Sequence, residues 1–121
     1  MEIDCLIMLP KENRLSKKKD IERVFKEGKG FKEDFLILKI VKNGLKNSRF
    51  AFIVPQQVSK KASLRNKLRR RLRELVRLKF KKIKGGLDLV FLATPGLEEK
   101  DFWELDETIN KLFQKTKCFK D

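Results

Sequence analysis

Residues 64–77, LRNKLRRRLRELVR, separate into two opposed sides once wound at 3.6 residues per turn. Leu64, Leu68, Leu72, Leu75 and Val76 fall at i, i+4, i+8, i+11 and i+12, a single apolar stripe. Asn66, Arg69, Arg70, Arg73 and Arg77 occupy the other side, with Arg65 and Lys67 on the flanks. A segment of this kind is satisfied as a helix lying on an apolar core. Its outer side is then a row of guanidinium forks, which bind phosphate oxygens bidentately.

The chain's charge is concentrated in the same place. Of a net +14 over 121 residues, the window Lys60–Lys84 carries +12, with Glu74 its one acid. The remainder is nearly neutral at +2. Arg65, Arg69, Arg73 and Arg77 repeat at four-residue intervals, and like charges so spaced cost roughly 0.2–0.5 kcal/mol per pair on an isolated helix. A repulsive array of this kind calls for a polyanion, and nucleic acid fits it best. A membrane surface or an acidic protein is the alternative. The membrane reading needs the leucine stripe open to lipid, yet FLILKIV and LDLVFLA are strands that such a stripe would cover. Asn66 among arginines suits an adenine edge in a DNA groove; a basic helix beside a sheet suits a single strand lying between them.

The length allows one domain with a real core. With no histidine in the chain, no Cys/His metal site and no Ser–His or Cys–His nucleophile pair can be assembled. Cys5 and Cys118 are expected as free thiols in a reducing compartment, with a disulfide between the two chain ends as the alternative. The opening MEIDCLIML carries acids where a secretory signal carries Lys or Arg. No apolar run approaches the roughly 18–20 residues of a membrane span, so a cytoplasmic location is expected.

Ser16 is the expected N-cap of a first helix presenting Ile21, Val24 and Phe25 and stopped by Gly28. Phe35–Val41 and Arg49–Val54 read as strands joined in a hairpin through the Lys42-Asn43-Gly44 turn. The basic helix runs to about Lys82, ahead of Gly85-Gly86, and Leu87–Ala93 is a third strand. A last helix from about Glu99 to Lys115 buries Phe102, Leu105, Ile109, Leu112 and Phe113, with acids in its first turns to match the dipole. The order helix, strands, basic helix, strand, helix predicts an α/β sandwich (α+β) with helices packed on a central sheet. Phe25, Phe31 and Phe35 stand near a helix–sheet groove; Phe25 suits a stacking platform and a core position equally, whereas Phe50, Phe52, Phe91, Phe102 and Phe113 suit the core. Lys39, the one charge in its strand, sits either at a sheet edge or facing the groove. No self-contained active site is evident.

The stretch SKKASLRNKLRRRLREL resembles the signature of the bacterial ribonuclease P protein component, R-N-R followed by further basic residues and R-E. Arg14-Leu15, Asp20-Ile21 and Val24-Phe25 before Gly28 are similar to that family's opening helix, and RFAFIV and LDLVFLATPG to its strands. The family usually begins near a Met-Leu-Pro like Met8-Leu9-Pro10, which makes residues 1–7 an N-terminal extension and residues 8–121 a single RNA-binding domain. The resemblance implies a β-α-β crossover around the basic helix and a protein subunit for a catalytic RNA. That RNA, with Mg2+ held mainly by the RNA itself, cuts the 5′ leader from precursor tRNA.

The implied partners are ribonuclease P RNA and precursor tRNA, with no membrane and no obligate protein partner. The protein itself would hold no catalytic or metal-binding residue. By position in the motif, Arg65, Asn66, Lys67, Arg69, Arg70, Arg73 and Arg77 would contact the RNA subunit. Arg14, Ile21, Phe25, Lys39 and Gln57 would line the leader cleft. Lys67, Gln56-Gln57, Ile21 and Thr94 depart from the family pattern and imply a looser grip on the leader. A structural, ribosomal-type RNA-binding protein without turnover is the alternative, and a DNA-binding regulator a further one.

Overall fold

The computed structural model describes residues 9–120, so the expectations for Cys5 and for an extension over residues 1–7 lie outside the described residues. The elements in order are α1 (Lys18–Glu27), β1 (Lys29–Glu33), β2 (Leu36–Lys42), β3 (Arg49–Ile53), α2 (Ala62–Lys79), β4 (Leu87–Ala93) and α3 (Phe102–Lys115). Short 3-10 turns at Lys11–Asn13, Phe80–Lys82 and Leu97–Glu99 connect them.

The strands form one sheet in the order β1-β2-β4-β3. β2 pairs antiparallel with both β1 and β4, and β3 pairs parallel with β4. The expected hairpin between β2 and β3 is therefore absent. The Asn43 turn is present, with Asn43 Oδ1 accepting from the Leu45 N–H at 2.7 Å and Gly44 at φ +70°. β4 enters between the two strands, so β3-α2-β4 is a parallel crossover unit around the basic helix. β1, KGFKE, has one large apolar residue and gives no strand periodicity; it forms because β2 offers it an edge.

Each face of the sheet has its own cover. On one face Leu36, Leu38, Phe50, Leu89, Phe91 and Ala93 pack with Leu68, Leu72, Leu75 and Val76 of α2 and with Leu105, Ile109, Leu112 and Phe113 of α3. The four α2 residues are at most 1% exposed, and burying each such side chain is worth about 1.5–3 kcal/mol. On the other face α1 brings Val24, Ile21 and Phe25 against Ala51, Val90, Val41 and Ile53. β2 and β4 are apolar on both parities because both lie inside the sheet with cover on each side.

Local signals differ from expectation at the helix starts. The N-cap of α1 is Lys17, not Ser16, and no side chain caps it. α3 starts at Phe102 rather than near Glu99, because Asp101 and Glu104 form a reciprocal capping box. Gly28 ends α1 through close approach: a Cβ there would collide with the Val24 carbonyl oxygen.

Candidate nucleic-acid interface

The register places Lys39 opposite Gly30 on one side and Val90 on the other, and Val90 opposite Ala51. These residues share the α1 face of the sheet. The next row on that face is Ile37, Leu92 and Ile53, each half-buried. α1 therefore leaves part of the face open, an apolar floor with Phe25 and Lys39 beside it. Lys39 is in an interior strand, which removes the sheet-edge alternative. Its Nζ lies 5.8 Å from the centre of the Phe25 ring, a cation–π contact. Phe25 is half-buried, with part of its ring in the small core and part toward Lys39.

Phe31 and Phe35 do not join this groove. Phe31 packs against the opposite, main core, as alternation along β1 requires. Phe35 lies at the end of the sheet, where Lys100 Nζ is 5.5 Å from its ring and where a Cβ on Gly96 would meet it. Phe50, Phe91 and Phe113 are buried, and Phe52 and Phe102 pack half-buried on the same core.

β3 is an edge strand, and the N-terminal segment runs beside its start, with the Leu15 N–H donating to the Phe50 carbonyl at 2.9 Å. Beyond that contact a cavity of about 350 Å³ opens along the edge, lined by Arg14, Ile21, Ile53 and Arg73 among others. Two predicted leader residues, Arg14 and Ile21, thus meet Arg73, a predicted RNA-subunit residue. Gln57 is exposed in the β3–α2 connection and is not part of the cavity lining.

On α2 the outward side is graded. Asn66, Lys67 and Arg70 are exposed, whereas Arg65, Arg69, Arg73 and Arg77 are half-buried. Arg65 donates through Nη1 to the carbonyls of Ser59 and Lys60, both at 3.0 Å, and so fastens the loop before the helix. Arg69 donates through Nη2 to Asn66 Oδ1. Arg77 borders the buried stripe, and its Nε is enclosed without a hydrogen-bond partner, a departure from the outward position expected for it. Arg73 is held below the ordinary arginine range by burial first, then by repulsion from Arg69, Arg14 and Arg70. Arg73 thus lies within electrostatic reach of three further guanidinium groups, and it shares a cavity with one of them, Arg14, where α2 meets the N-terminal segment. Their repulsion is relieved by any phosphate placed among them.

One buried polar network had a signal in the sequence that periodicity alone does not interpret: Asp88 in the apolar run LDLVFLA. Asp88 is fully buried and accepts from Arg49 Nε at 2.8 Å and Nη2 at 2.7 Å, and from Asn43 Nδ2 at 2.9 Å. These bonds hold the Arg49 guanidinium above its ordinary range. Arg49 Nη1 also reaches Asp20 Oδ2 at 3.3 Å, which ties α1 to the sheet. Asn13 is buried as well, donating to the Ser48 carbonyl at 2.8 Å and fixing the segment that carries Arg14. Cys118 is a free, buried thiol whose pKa is raised by that burial.

A four-stranded sheet with α1 on one face, two helices on the other and a cationic ridge beside an open cleft defines a small basic protein of the α+β class with a surface suited to a polyanion. A family model for ribonuclease P matches residues 9–117. The ribonuclease P protein component of Caldanaerobacter subterraneus is 32% identical over 94% of this chain and 97% of its own. That of Clostridioides difficile is 37% identical over 84% and 90%. The solved ribonuclease P protein of Thermotoga maritima, in complex with 1-(4-fluorophenyl)-2-thiourea, is 34% identical, with a TM-score of 0.77 over 84% of this chain and 98% of that one. The Staphylococcus aureus protein shares the fold at 20% identity, with a TM-score of 0.82 over 89% and 98%. The chain belongs to the ribonuclease P protein family. Among the described residues no helix is long and apolar enough to cross a membrane.

Proposed function

We propose that the protein is the protein subunit of a cytoplasmic ribonuclease P, binding the catalytic RNA along α2 and the single-stranded 5′ leader of precursor tRNA in the cleft on the α1 face. The observation that carries this reading is the meeting of the two surfaces at Arg14 and Arg73, which line one cavity at the β3 edge. A strand leaving the RNA's reaction centre would pass from the ridge into the cleft without losing counter-charge.

The protein's part is electrostatic and positional. Arg69, Arg70 and Arg73 neutralise phosphates of the RNA subunit, and Asn66 orients Arg69 through their hydrogen bond. Ile21, Phe25 and the Ile37–Leu92–Ile53 floor give unpaired bases an apolar surface. Lys39 places one further cation beside that surface. Holding the leader fixed turns a loose encounter into an intramolecular one. Mg2+ supplies the Lewis acid and hydroxide-generating chemistry, and the reading assigns it to the RNA. Among the described residues no group of three His, Cys, Asp or Glu side chains converges to hold a metal.

A processing assay tests the proposal. Added to a bacterial ribonuclease P RNA at low magnesium, the protein should accelerate leader removal, and more so for precursors with leaders long enough to fill the cleft. RNA binding without any acceleration would refute the subunit role and favour a structural RNA-binding protein.

A further inference from the structure

We propose that Asp20 and Arg49 are positioning residues that fix where α1 lies across the sheet and so set the width of the leader cleft. The α1 face of the sheet has three successive rows across β2, β4 and β3: Val41–Asp88–Arg49, Lys39–Val90–Ala51 and Ile37–Leu92–Ile53. Alternate residues of a strand bring such rows about 6.5–7 Å apart. α1 packs against Val41, Val90 and Ala51 of the first two rows, and the third row is the floor of the cleft. Two polar ties join α1 to the sheet at the first-row end. Arg49 Nη1 reaches Asp20 Oδ2 at 3.3 Å, and Arg23 Nη2 donates to the Lys42 carbonyl at 2.8 Å, one residue beyond Val41.

Apolar packing by itself fixes this placement poorly. Val24 is the buried residue of α1, whereas Ile21 and Phe25 are half-buried and share their surface with the cleft. Apolar contact is non-directional, so it holds the helix down without choosing where along the strands it rests. The Arg49 fork supplies the direction. Its Nε and Nη2 are held at 2.8 and 2.7 Å by Asp88, a fully buried carboxylate that Asn43 also fastens. A bidentate pair fixes the guanidinium plane, and the remaining Nη1 gives Asp20 one docking point on the sheet. The next residue, Ile21, lines the β3-edge cavity. Loss of the Asp20 tie frees this end of α1 to drift toward the third row and cover the floor on which bases would lie. Asp88 still neutralises Arg49 in that case, so the sheet stays intact and cleft geometry separates from fold stability. The inference rests on the leader-binding reading above.

The test uses Asp20→Ala, the conservative Asp20→Glu, and a control, Glu22→Ala, which removes an acid from the exposed side of α1. Each protein is assembled with a bacterial ribonuclease P RNA and given precursors with leaders of about 1 and about 8 nucleotides. Asp20→Ala should bind the long-leader precursor roughly fivefold more weakly or worse, the lower end of what one stacked base contributes. The short-leader precursor should stay within about twofold of wild type, a difference too small for one lost base contact. Assembly with the RNA and the cleavage rate at saturating precursor should not change. Asp20→Glu should restore the long-leader affinity, and Glu22→Ala should match wild type. In the free protein, amide exchange along α1 should quicken roughly two- to fivefold in Asp20→Ala, as for loss of a partly exposed ion pair, with β2, β4 and α2 unchanged. A wild-type leader preference in Asp20→Ala, or an equal loss for both precursors, overturns the proposal. If the wild-type holoenzyme shows no leader preference, the leader-binding reading fails, and the exchange arm still decides whether Asp20 holds α1 in place: unchanged exchange overturns that too.

Discussion

Replacing Arg73 by methionine should make the isolated protein more stable and its RNA complex weaker. Arg73 is half-buried and repelled by Arg69, Arg70 and Arg14. Methionine keeps an unbranched apolar stem over the same surface and deletes the charge. The neighbours at i−4 and i−3 each contribute roughly 0.2–0.5 kcal/mol of repulsion, so their relief is worth about 0.4–1 kcal/mol before any gain from a cheaper burial. For a chain of 121 residues this raises the thermal midpoint by roughly 1–5 °C. Binding moves the other way. Losing one phosphate contact lowers the salt slope by about 0.7–0.9, which at ~0.15 M salt corresponds to about fivefold in affinity. Calorimetry of the free protein and salt-dependent binding to a ribonuclease P RNA read the two signs separately. A lower melting temperature with unchanged binding would refute the reasoning and make Arg73 a structural residue.

Three other outcomes are expected. Leu72→Asp, at a position with no exposure, should abolish cooperative folding by circular dichroism, since an unpaired charge would enter the main core. Asp88→Ala leaves Arg49 without its buried partner and should lower stability by about 3–5 kcal/mol in denaturant titrations, whereas a paired Arg49→Met, Asp88→Leu variant should recover much of the loss. Because the folded-state pKa of Cys118 is raised, its contribution is intact below the unfolded thiol value of roughly 8.5 and declines as pH climbs from there through the folded value. The decline is at most about 1.4 kcal/mol per pH unit, and Cys118→Ala should remove that component from stability measured between pH 7.5 and 10.

The sequence alone determined the helix that matters most. A period of 3.6 in residues 64–77 is a local property, so the burial of Leu68, Leu72, Leu75 and Val76 and the cationic side opposite them followed without a partner being known. β2 and β4 were legible as apolar runs, and Gly28 as a stop, for the same local reason. Strand pairing is decided between segments distant in the chain. The intervening β4 therefore replaced the expected β2–β3 hairpin, and KGFKE became β1 without a periodic signal. Residue type pointed to Lys39 and Phe25, but only the register put them on one face, 5.8 Å apart, and sent Phe31 to the other. Arg14 and Arg73 are 59 positions apart in sequence; the packing of the N-terminal segment along the β3 edge brings them to one cavity. Local periodicity fixes which side of an element is apolar, because that depends only on neighbours along the chain, whereas the place where two elements meet depends on the whole sheet being assembled.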